Sequence, residues 1–258
     1  MKNHIIVPVD QLNQEPYSSV LCFPRPNEDE VQSRIRELCR LGVVALEFSG
    51  PTSVFGVKVP VLGKGFVGIV VVAHANGNRM AVKILRQDAG RADLLHEASM
   101  LAQANAARVA PRFIGASKNF IVMQLIEGDL LPNWLKANRD PTTVKRVLRD
   151  ALEQCWRLDE TGLDHGELSK APKHLLVDKD EKVFIVDFET ASTKRRVSNV
   201  TAVCQYLFLG KSSAAAVTTE VFGERNRTVM LDALKTYKND RNRENFETLL
   251  RICFARYP

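Results

Sequence analysis

Glycines in a tight cluster and charged side chains inside apolar segments mark one part of this sequence as suited to phosphate chemistry. Residues 63–70 read G-x-G-x-x-G-x-V, and such glycines let a backbone close over phosphates because no Cβ stands in the way. Lys83 follows within the apolar segment 81–85, where a cation can hold phosphate oxygens. Glu97 is flanked by apolar residues, so it needs a buried partner, and Lys83 is the candidate.

Carboxylates further along the chain could serve a phosphate-bound metal and an acceptor hydroxyl. Asp187 follows the apolar run 183–186, which is the context expected for a carboxylate that holds Mg²⁺ against phosphates. Glu167 lies in the motif H-G-E-L at residues 165–168 and could orient a hydroxyl group. Asp164 is a neighbouring carboxylate that could take the same role.

The elements that must position these residues change in character along the chain. In the first half, Asn76-Gly77 is a strong hairpin signal between the apolar segments 69–73 and 80–85. The further predictions there are a helix over 91–107 and strands over 113–116 and 120–125. In the second half, apolar residues at a spacing of 3.6 predict a long helix over 144–158. It is followed by predicted short strands at 175–177 and 183–186 and by helices over 226–237 and 241–255.

An N-terminal segment precedes the glycine cluster. Asn27 and Glu30 form a capping-box pattern, and apolar residues at helical spacing then predict an amphipathic helix over 28–41 that ends at Gly42. A short apolar strand is predicted over 43–48. A β-rich part with one helix followed by a helical part is an α+β pattern of two lobes.

Composition excludes several classes of protein. The 258 residues are 45% hydrophobic and 26% charged, which is ordinary for a globular protein. The longest apolar run, residues 67–73, is far shorter than the roughly 20 residues of a membrane span, and no signal-peptide pattern opens the chain. The five widely spaced cysteines include no C-x-x-C, as expected of free thiols in a reducing compartment. We therefore expect a cytoplasmic protein.

In order and spacing, these motifs resemble the protein-kinase-like superfamily. The sequence is most similar to the small atypical archaeal serine/threonine kinases, such as the RIO type and the kinase of the tRNA threonylcarbamoylation complex. The resemblance covers about residues 55–210. It implies a bilobal α+β fold, with a β-rich N-lobe over 55–127, a mostly helical and shortened C-lobe over 128–258, and residues 1–54 as an N-terminal extension.

The resemblance also implies ATP and Mg²⁺ as cofactors and assigns site residues. Lys83, Glu167 and Asp187 would be catalytic, with Asp187 as the metal ligand and Met123 as the gatekeeper beside adenine. The residues that would bind ATP are Leu62, Gly63, Gly65, Gly68, Val70, Ala81, Lys83, Glu97, Gln124 and Ile126.

Departures from the family pattern concentrate in the catalytic loop. Glu167 stands where the family has Asp, and Glu189 replaces the glycine of D-F-G. Pro172 occupies the expected place of a metal-binding Asn, but counting back from Asp187 brings His174 to that place instead. Imidazole is a poor Mg²⁺ ligand, so either the second metal is lost or Lys170, Lys173 and His174 stabilise phosphate charge themselves. No A-P-E motif follows Asp187.

The leading hypothesis is an atypical ATP-dependent protein kinase that transfers the γ-phosphate to Ser or Thr of a protein substrate. The divergent loop leaves a second hypothesis, an ATP-binding pseudokinase or ATPase that acts as a regulatory module. The basic run at residues 194–196 and the net charge of +6 leave a third, an RNA-associated protein within an RNA-modifying complex. A small-molecule kinase also suits the H-G-x-L motif. Neither a membrane nor DNA is expected as a partner.

Overall fold

The computed structural model describes residues 4–54 and 56–255, with the side chains of residues 57, 58, 170 and 171 outside the description. It divides into two compact units. The first comprises the described residues up to Ser99 together with Arg112–Leu125, and the second comprises Met100–Pro111 and the described residues from Ile126 onward. The first unit is rich in β-structure and the second is mostly helical, which confirms the predicted α+β class.

The first unit is built on strands that flank the glycine cluster. Its strands are β1 (Ile5–Pro8), β2 (Ala45–Phe48), β3 (Thr52–Val54), β4 (Val57–Val61), β5 (Gly63–Lys64), β6 (Gly68–Ala75), β7 (Asn78–Leu85), β8 (Phe113–Ala116) and β9 (Phe120–Gln124). Its helices are α1 (Tyr17–Leu21), α2 (Glu28–Arg40) and the beginning of α3 (Leu95–Ala106), which continues into the second unit.

Seven described strands form one antiparallel sheet in the order β1-β2-β6-β7-β9-β8, with β5 paired to β6. The predicted hairpin between β6 and β7 is confirmed. Ala75 pairs with Asn78, and Asn76 and Gly77 have φ angles of 50° and 74°, as a type I′ turn requires. Strands β3 and β4 form a separate pair.

The N-terminal segment is integrated into this sheet. Strands β1 and β2 extend it beyond β6, so residues predicted only as an N-terminal extension supply part of the sheet itself. Since side chains alternate along a strand, Ile69, Val71, Val82 and Ile84 share one face. They are buried in a core that also contains N-terminal residues from β1 to α2, including Leu12, Val20, Leu21, Val31 and Leu38.

Helix α2 carries a buried arginine that ties this segment to the sheet. Its N-terminus forms as predicted, because the Asn27 side chain accepts the Glu30 N–H at 2.9 Å. Arg34 is 2% exposed, and its guanidinium donates to Leu21 O at 2.7 Å, Leu85 O at 2.6 Å and Asn119 Oδ1 at 3.2 Å. The helix is therefore fixed by hydrogen bonds as well as by apolar contacts.

The second unit is organised around the long helix α5. Its described helices are α4 (Leu131–Ala137), α5 (Pro141–Glu160), α6 (Asn199–Cys204), α7 (Ser213–Phe222), α8 (Arg227–Asn239) and α9 (Arg243–Phe254). The strands β10 (Gly128–Leu130), β11 (Leu175–Asp178) and β12 (Val183–Ile185) form a small antiparallel sheet. The sequence predicted α5, α8, α9, β11 and β12 and a mostly helical chain after β12, which includes α6 and α7 without their bounds, whereas β10 and α4 were not predicted.

Buried polar groups join the helices of the second unit. Asp159, near the end of α5, accepts the Asn199 Nδ2 at 2.8 Å and the Tyr237 hydroxyl at 2.9 Å. Burial raises the pKa of Asp159 more than these donors lower it. Asn199 in turn accepts the His165 N–H at 2.9 Å, so this network reaches the H-G-E-L motif.

Among the described residues, no helix is both long enough and apolar enough to cross a membrane.

Candidate active site

The sheet face opposite the N-terminal segment carries several residues predicted to contact a nucleotide. Val70 is the cross-strand partner of Lys83, and Met123 is the partner of Ala81. Directly paired residues share a face, and Ala81 and Lys83 share one because they are two positions apart on β7. The fold therefore brings Val70, Ala81, Lys83 and Met123 to one surface.

The predicted contact between Lys83 and Glu97 is confirmed. Lys83 Nζ lies 2.8 Å from both carboxylate oxygens of Glu97, and the two residues are 6% and 5% exposed. Burial of a charge is costly unless it is paired, which explains why an acidic residue on α3 and a basic residue on β7 occur together. The pair fixes the ammonium group in one position at the sheet surface.

The glycine cluster leaves room for this lysine. A Cβ atom on Gly68 would stand 2.9 Å from both Cγ and Cε of Lys83, so any side chain there would displace it. Between β5 and β6, the Gly65 N–H donates to Gly68 O at 2.8 Å. Arg86 Nη1 donates to Gly65 O at 2.6 Å, a restraint that no local sequence pattern predicts.

The remaining nucleotide-binding candidates of this group lie on or next to the ends of strands β5 and β9. Leu62 N–H donates to Val70 O at 2.9 Å, and Gly63 pairs with Val70. Leu62 and Gly63 therefore lie beside the sheet face that carries Val70. Gln124 ends β9, and its N–H already donates to Arg112 O at 2.8 Å. The N–H of Gln124 is therefore already engaged within the first unit. Ile126 is the first residue of the following segment in the second unit.

Asp187 follows β12 in an unusual backbone conformation. Its φ angle is 70°, a region that non-glycine residues rarely adopt. The preceding Val186 N–H donates to His174 O at 3.0 Å. This bond ties the segment with Asp187 to the segment that ends the catalytic loop. The backbone strain is of the kind that clusters at functional sites.

His165 supports the catalytic loop through contacts with the backbone. It is fully buried, its Nε2 lies 3.0 Å from Val186 O, and its Nδ1 accepts the Glu167 N–H at 3.4 Å. Burial lowers the pKa of His165 to about 4, so the ring is neutral, and these partners place its proton on Nε2. His165 therefore connects the backbone of Glu167 with the backbone of Val186, the residue before Asp187.

Glu167, His174 and Asp187 converge in the second unit. His174 Nε2 lies 3.6 Å from Glu167 Oε2, and His174 Nδ1 lies 3.7 Å from Asp187 Oδ2. His174 is 4% exposed, whereas the two carboxylates are partly exposed. The structure thus brings the predicted catalytic and metal-binding carboxylates together with the histidine that the interval count had placed near the missing Asn. Lys173 is exposed, and the side chain of Lys170 lies outside the description.

The basic run at 194–196 contacts Asp164 through Arg195. Asp164 is 4% exposed and accepts Arg195 Nε at 3.0 Å and the Ser198 N–H at 3.0 Å. Arg196 donates to Lys238 O at 2.6 Å. Asp164 therefore serves the loop's structure, and two of the three cations considered for RNA binding make contacts within their own unit.

The residues present fit a nucleotide such as ATP better than they fit Mg²⁺. The lysine above Gly68, on an apolar sheet face, fits a nucleotide phosphate chain. The carboxylates of Glu167 and Asp187 suit Mg²⁺, which prefers oxygen ligands in near-octahedral geometry. The imidazole of His174 does not suit it, since nitrogen ligands favour transition metals. The group is thus a mixed oxygen and nitrogen donor set.

A known protein family has the same features in the same order along its sequence. The family model for protein tyrosine and serine/threonine kinases matches residues 58–206, which is more than half of the chain. The chain belongs to this protein kinase family. The match spans both the glycine cluster and Asp187, so the kinase-like fold and membership of a phosphotransferase family are established together.

A further similarity connects this kinase-family chain to an archaeal protein. An uncharacterized protein of Methanocaldococcus jannaschii is 27% identical over 113 residues, which cover 44% of this chain and 90% of that protein. This similarity assigns no reaction to the chain.

Proposed function

We propose that this chain is an atypical ATP-dependent protein kinase that transfers the γ-phosphate of ATP to Ser or Thr hydroxyl groups of a protein. The observation that carries the proposal is the buried pair of Lys83 and Glu97, with Nζ–O distances of 2.8 Å. A buried ion pair is weak evidence for stability, so its position on the nucleotide side of the sheet favours a role in binding phosphate.

Lys83 and its surroundings would bind and orient the nucleotide. The ammonium group attracts phosphate oxygens, and Glu97 keeps it from moving away. Val70 and Ala81 offer apolar contact to the adenine ring on the same face. A divalent cation, when bound, neutralises charge on the phosphates.

Glu167 would accept the proton of the acceptor hydroxyl. The hydroxyl oxygen attacks the γ-phosphorus, the bond from that phosphorus to the bridging oxygen breaks, and ADP leaves with the bonding electrons. The proton passes to the Glu167 carboxylate. Glu167 is one methylene longer than the aspartate it replaces, so the acceptor must stand farther from the backbone by about that length.

Phosphate transfer from γ-labelled ATP tests the proposal. We expect label on protein with the wild type, in Mg²⁺ or Mn²⁺, and its loss in Lys83→Ala, Glu167→Gln and Asp187→Ala. Exposed Lys173→Ala is the matched control and should retain transfer. If the wild type transfers no phosphate in Mg²⁺ and none in Mn²⁺, the proposal is contradicted.

An ATP-binding pseudokinase or ATPase is the second candidate, and His174 favours it. An imidazole in place of the family's metal-binding amide is a change expected where transfer has been lost. ATP binding that depends on Lys83 and Asp187, without transfer to protein, would support this candidate. Hydrolysis to ADP and free phosphate would then separate an ATPase from a silent nucleotide-binding module.

A further inference from the structure

The three side chains that converge at the catalytic loop are spaced as ligands of one ion rather than as hydrogen-bond partners. One ligand atom from each of Glu167, His174 and Asp187 lies within 4.8 Å of the other two. The approaches of His174 Nε2 to Glu167 Oε2 at 3.6 Å and of His174 Nδ1 to Asp187 Oδ2 at 3.7 Å are both beyond the usual range of about 2.7–3.2 Å for N–H···O bonds. They start from different nitrogens of one ring, which gives a single nitrogen to an ion, so the common spacing within 4.8 Å is the distance that bears on a shared ion.

His174 supplies independent evidence that something binds there. Its Nδ1 has no hydrogen-bond partner in the described part of the chain, although the residue is 96% buried (4% exposed). Buried polar groups almost always have a partner, and leaving one without a partner costs free energy. This nitrogen faces Asp187 Oδ2 at 3.7 Å, so it is directed into the cluster and not into the apolar core.

The imidazole is also held in place before any ion arrives. The His174 ring lies 5.2 Å from the His165 ring, centre to centre, and the His174 carbonyl accepts the Val186 N–H at 3.0 Å. His165 is itself packed on Phe188 at 4.9 Å. Metal ligands are commonly oriented by such surrounding contacts. Glu167 and Asp187 are partly exposed, so the cluster can be reached from solvent.

We infer that Glu167, His174 and Asp187 form a binding site for a divalent first-row transition-metal ion, with Mn²⁺ as the test ion, in preference to Mg²⁺. Two carboxylates and one imidazole make a mixed donor set, and imidazole raises affinity along the series from Mn²⁺ to Zn²⁺. Mg²⁺ gains little from nitrogen and demands near-ideal geometry from oxygen ligands. Because the ion would serve the phosphoryl transfer proposed above, the inference rests on that function, but binding is measured without turnover.

Electron paramagnetic resonance of Mn²⁺ tests this inference directly. Free Mn²⁺ gives a strong signal that falls on binding, so titration of the protein without nucleotide yields an affinity. Replacing an outer contact to a metal ligand commonly costs about 10–100-fold in affinity, so we expect His174→Asn to weaken Mn²⁺ binding at least about tenfold. His96→Asn, at an exposed histidine of the first unit, is the matched control and should bind as the wild type does.

Two further measurements keep the result independent of folding. Glu167→Gln changes a partly exposed side chain and should also weaken Mn²⁺ binding, with circular dichroism and thermal unfolding reported for every variant. In the wild type, pulsed resonance should detect a directly coordinated nitrogen that His174→Asn lacks. Mg²⁺ should displace Mn²⁺ only in large excess from the wild type and more readily from His174→Asn.

Equal Mn²⁺ affinity in the wild type and His174→Asn, or displacement by equimolar Mg²⁺, overturns the inference. Phosphate transfer is assayed separately with each metal. Selective Mn²⁺ binding without transfer leaves the metal site standing and removes the kinase proposal. Transfer in Mg²⁺ together with equal Mn²⁺ affinity in the wild type and His174→Asn leaves the kinase proposal and removes the metal site.

Discussion

Lys83 and Glu97 in the first unit make an ion pair at 2.8 Å, whereas in the second unit the His174 ring lies 3.6 Å from Glu167 through Nε2 and 3.7 Å from Asp187 through Nδ1. The first arrangement satisfies its own charges and follows the family pattern. The second leaves the buried His174 Nδ1 without a hydrogen bond among the described residues and departs from the family at two positions. The comparison teaches that the divergence falls on the residues proposed for catalysis and metal binding, whereas the pair proposed to hold the nucleotide phosphates keeps the family pattern.

Glu167 gives the largest expected effect, and it tests whether the divergent half still performs chemistry. Glu167→Gln should lower the rate of phosphate transfer about 10²–10⁴-fold, because the acceptor proton loses its carboxylate. Glu167→Asp keeps the carboxylate but shortens its reach by about 1 Å, for which we expect a loss of about 10²-fold. Single-turnover transfer measures both.

If Glu167→Asp instead raises transfer, the site has kept the family's geometry and the lengthened residue is a defect. If neither variant changes the rate, Glu167 is not the acceptor of the proton, and the contrast between the two halves disappears at this position.

Lys83 tests whether the buried charges of Lys83 and Glu97 in the first unit balance each other. Lys83→Met should lower the free energy of unfolding by about 3–5 kcal/mol, because the buried Glu97 carboxylate loses its cation. The double variant Lys83→Met/Glu97→Gln should recover part of that loss while still failing to bind ATP. Urea denaturation and nucleotide titration measure the two effects.

A double variant no more stable than Lys83→Met would show that the pair does not account for the loss of stability. Asp187→Asn is the matched change in the second half. We expect it to cost less stability, because its carboxylate is partly exposed.

Arg34 sharpens the comparison on the other face of the sheet. Arg34→Met keeps the apolar stem but removes the donors to Leu21 O and Leu85 O. Each buried acceptor that loses its donor costs about 1–3 kcal/mol, so we expect a loss of about 3 kcal/mol in the free energy of unfolding. Exposed Arg36→Met on the same helix should change it by less than about 0.5 kcal/mol. A similar effect of both variants would exclude a special role for Arg34.

Glu47 gives the smallest expected effect, and it appears as a dependence on pH. Burial raises its pKa, but hydrogen bonds from His4, Arg79, His74 and Ser49 outweigh burial and lower it from 4.5 to about 2. A depressed folded-state pKa contributes stability above the unfolded value, so this contribution is lost as pH falls from about 4.5 to 2. Asp159 in the second unit has a raised pKa and acts in the opposite direction.

Denaturation at several pH values measures the Glu47 contribution. The difference in unfolding free energy between the wild type and Glu47→Gln should shrink as pH falls from 4.5 towards 2. Glu224→Gln, at an exposed carboxylate, should show no such trend. A difference that stays constant with pH would contradict the assignment.

Local signals in the sequence predicted the elements and the first half of the site. Asn27 and Glu30 marked the start of α2, and Asn76-Gly77 marked the hairpin, because caps and turns depend on a few neighbouring residues. The pairing of Lys83 with Glu97 followed from charge in an apolar context.

Long-range features escaped the sequence analysis. That β1 and β2 join the central sheet depends on pairing between distant segments, for which short runs of residues carry no signal. Arg34 reads as one more charged residue on a polar helix, and its burial follows only from where the sheet lies. For His174, the interval to Asp187 gave its position but not its unpartnered nitrogen.

The Arg34 hydrogen bond to Asn119, which is 85 residues further along the chain, constrains the timing of folding during synthesis. Ribosomes add about 5–20 residues each second, so roughly 4–17 seconds separate the two residues. Leu21 O and Leu85 O are synthesised before Asn119, so by the end of that interval only the bond from Arg34 Nη2 to Asn119 is missing among these three, and strands β8 and β9 have not yet joined the sheet. The N-terminal segment therefore acquires its last hydrogen bond to the sheet only after the β8–β9 hairpin has been synthesised.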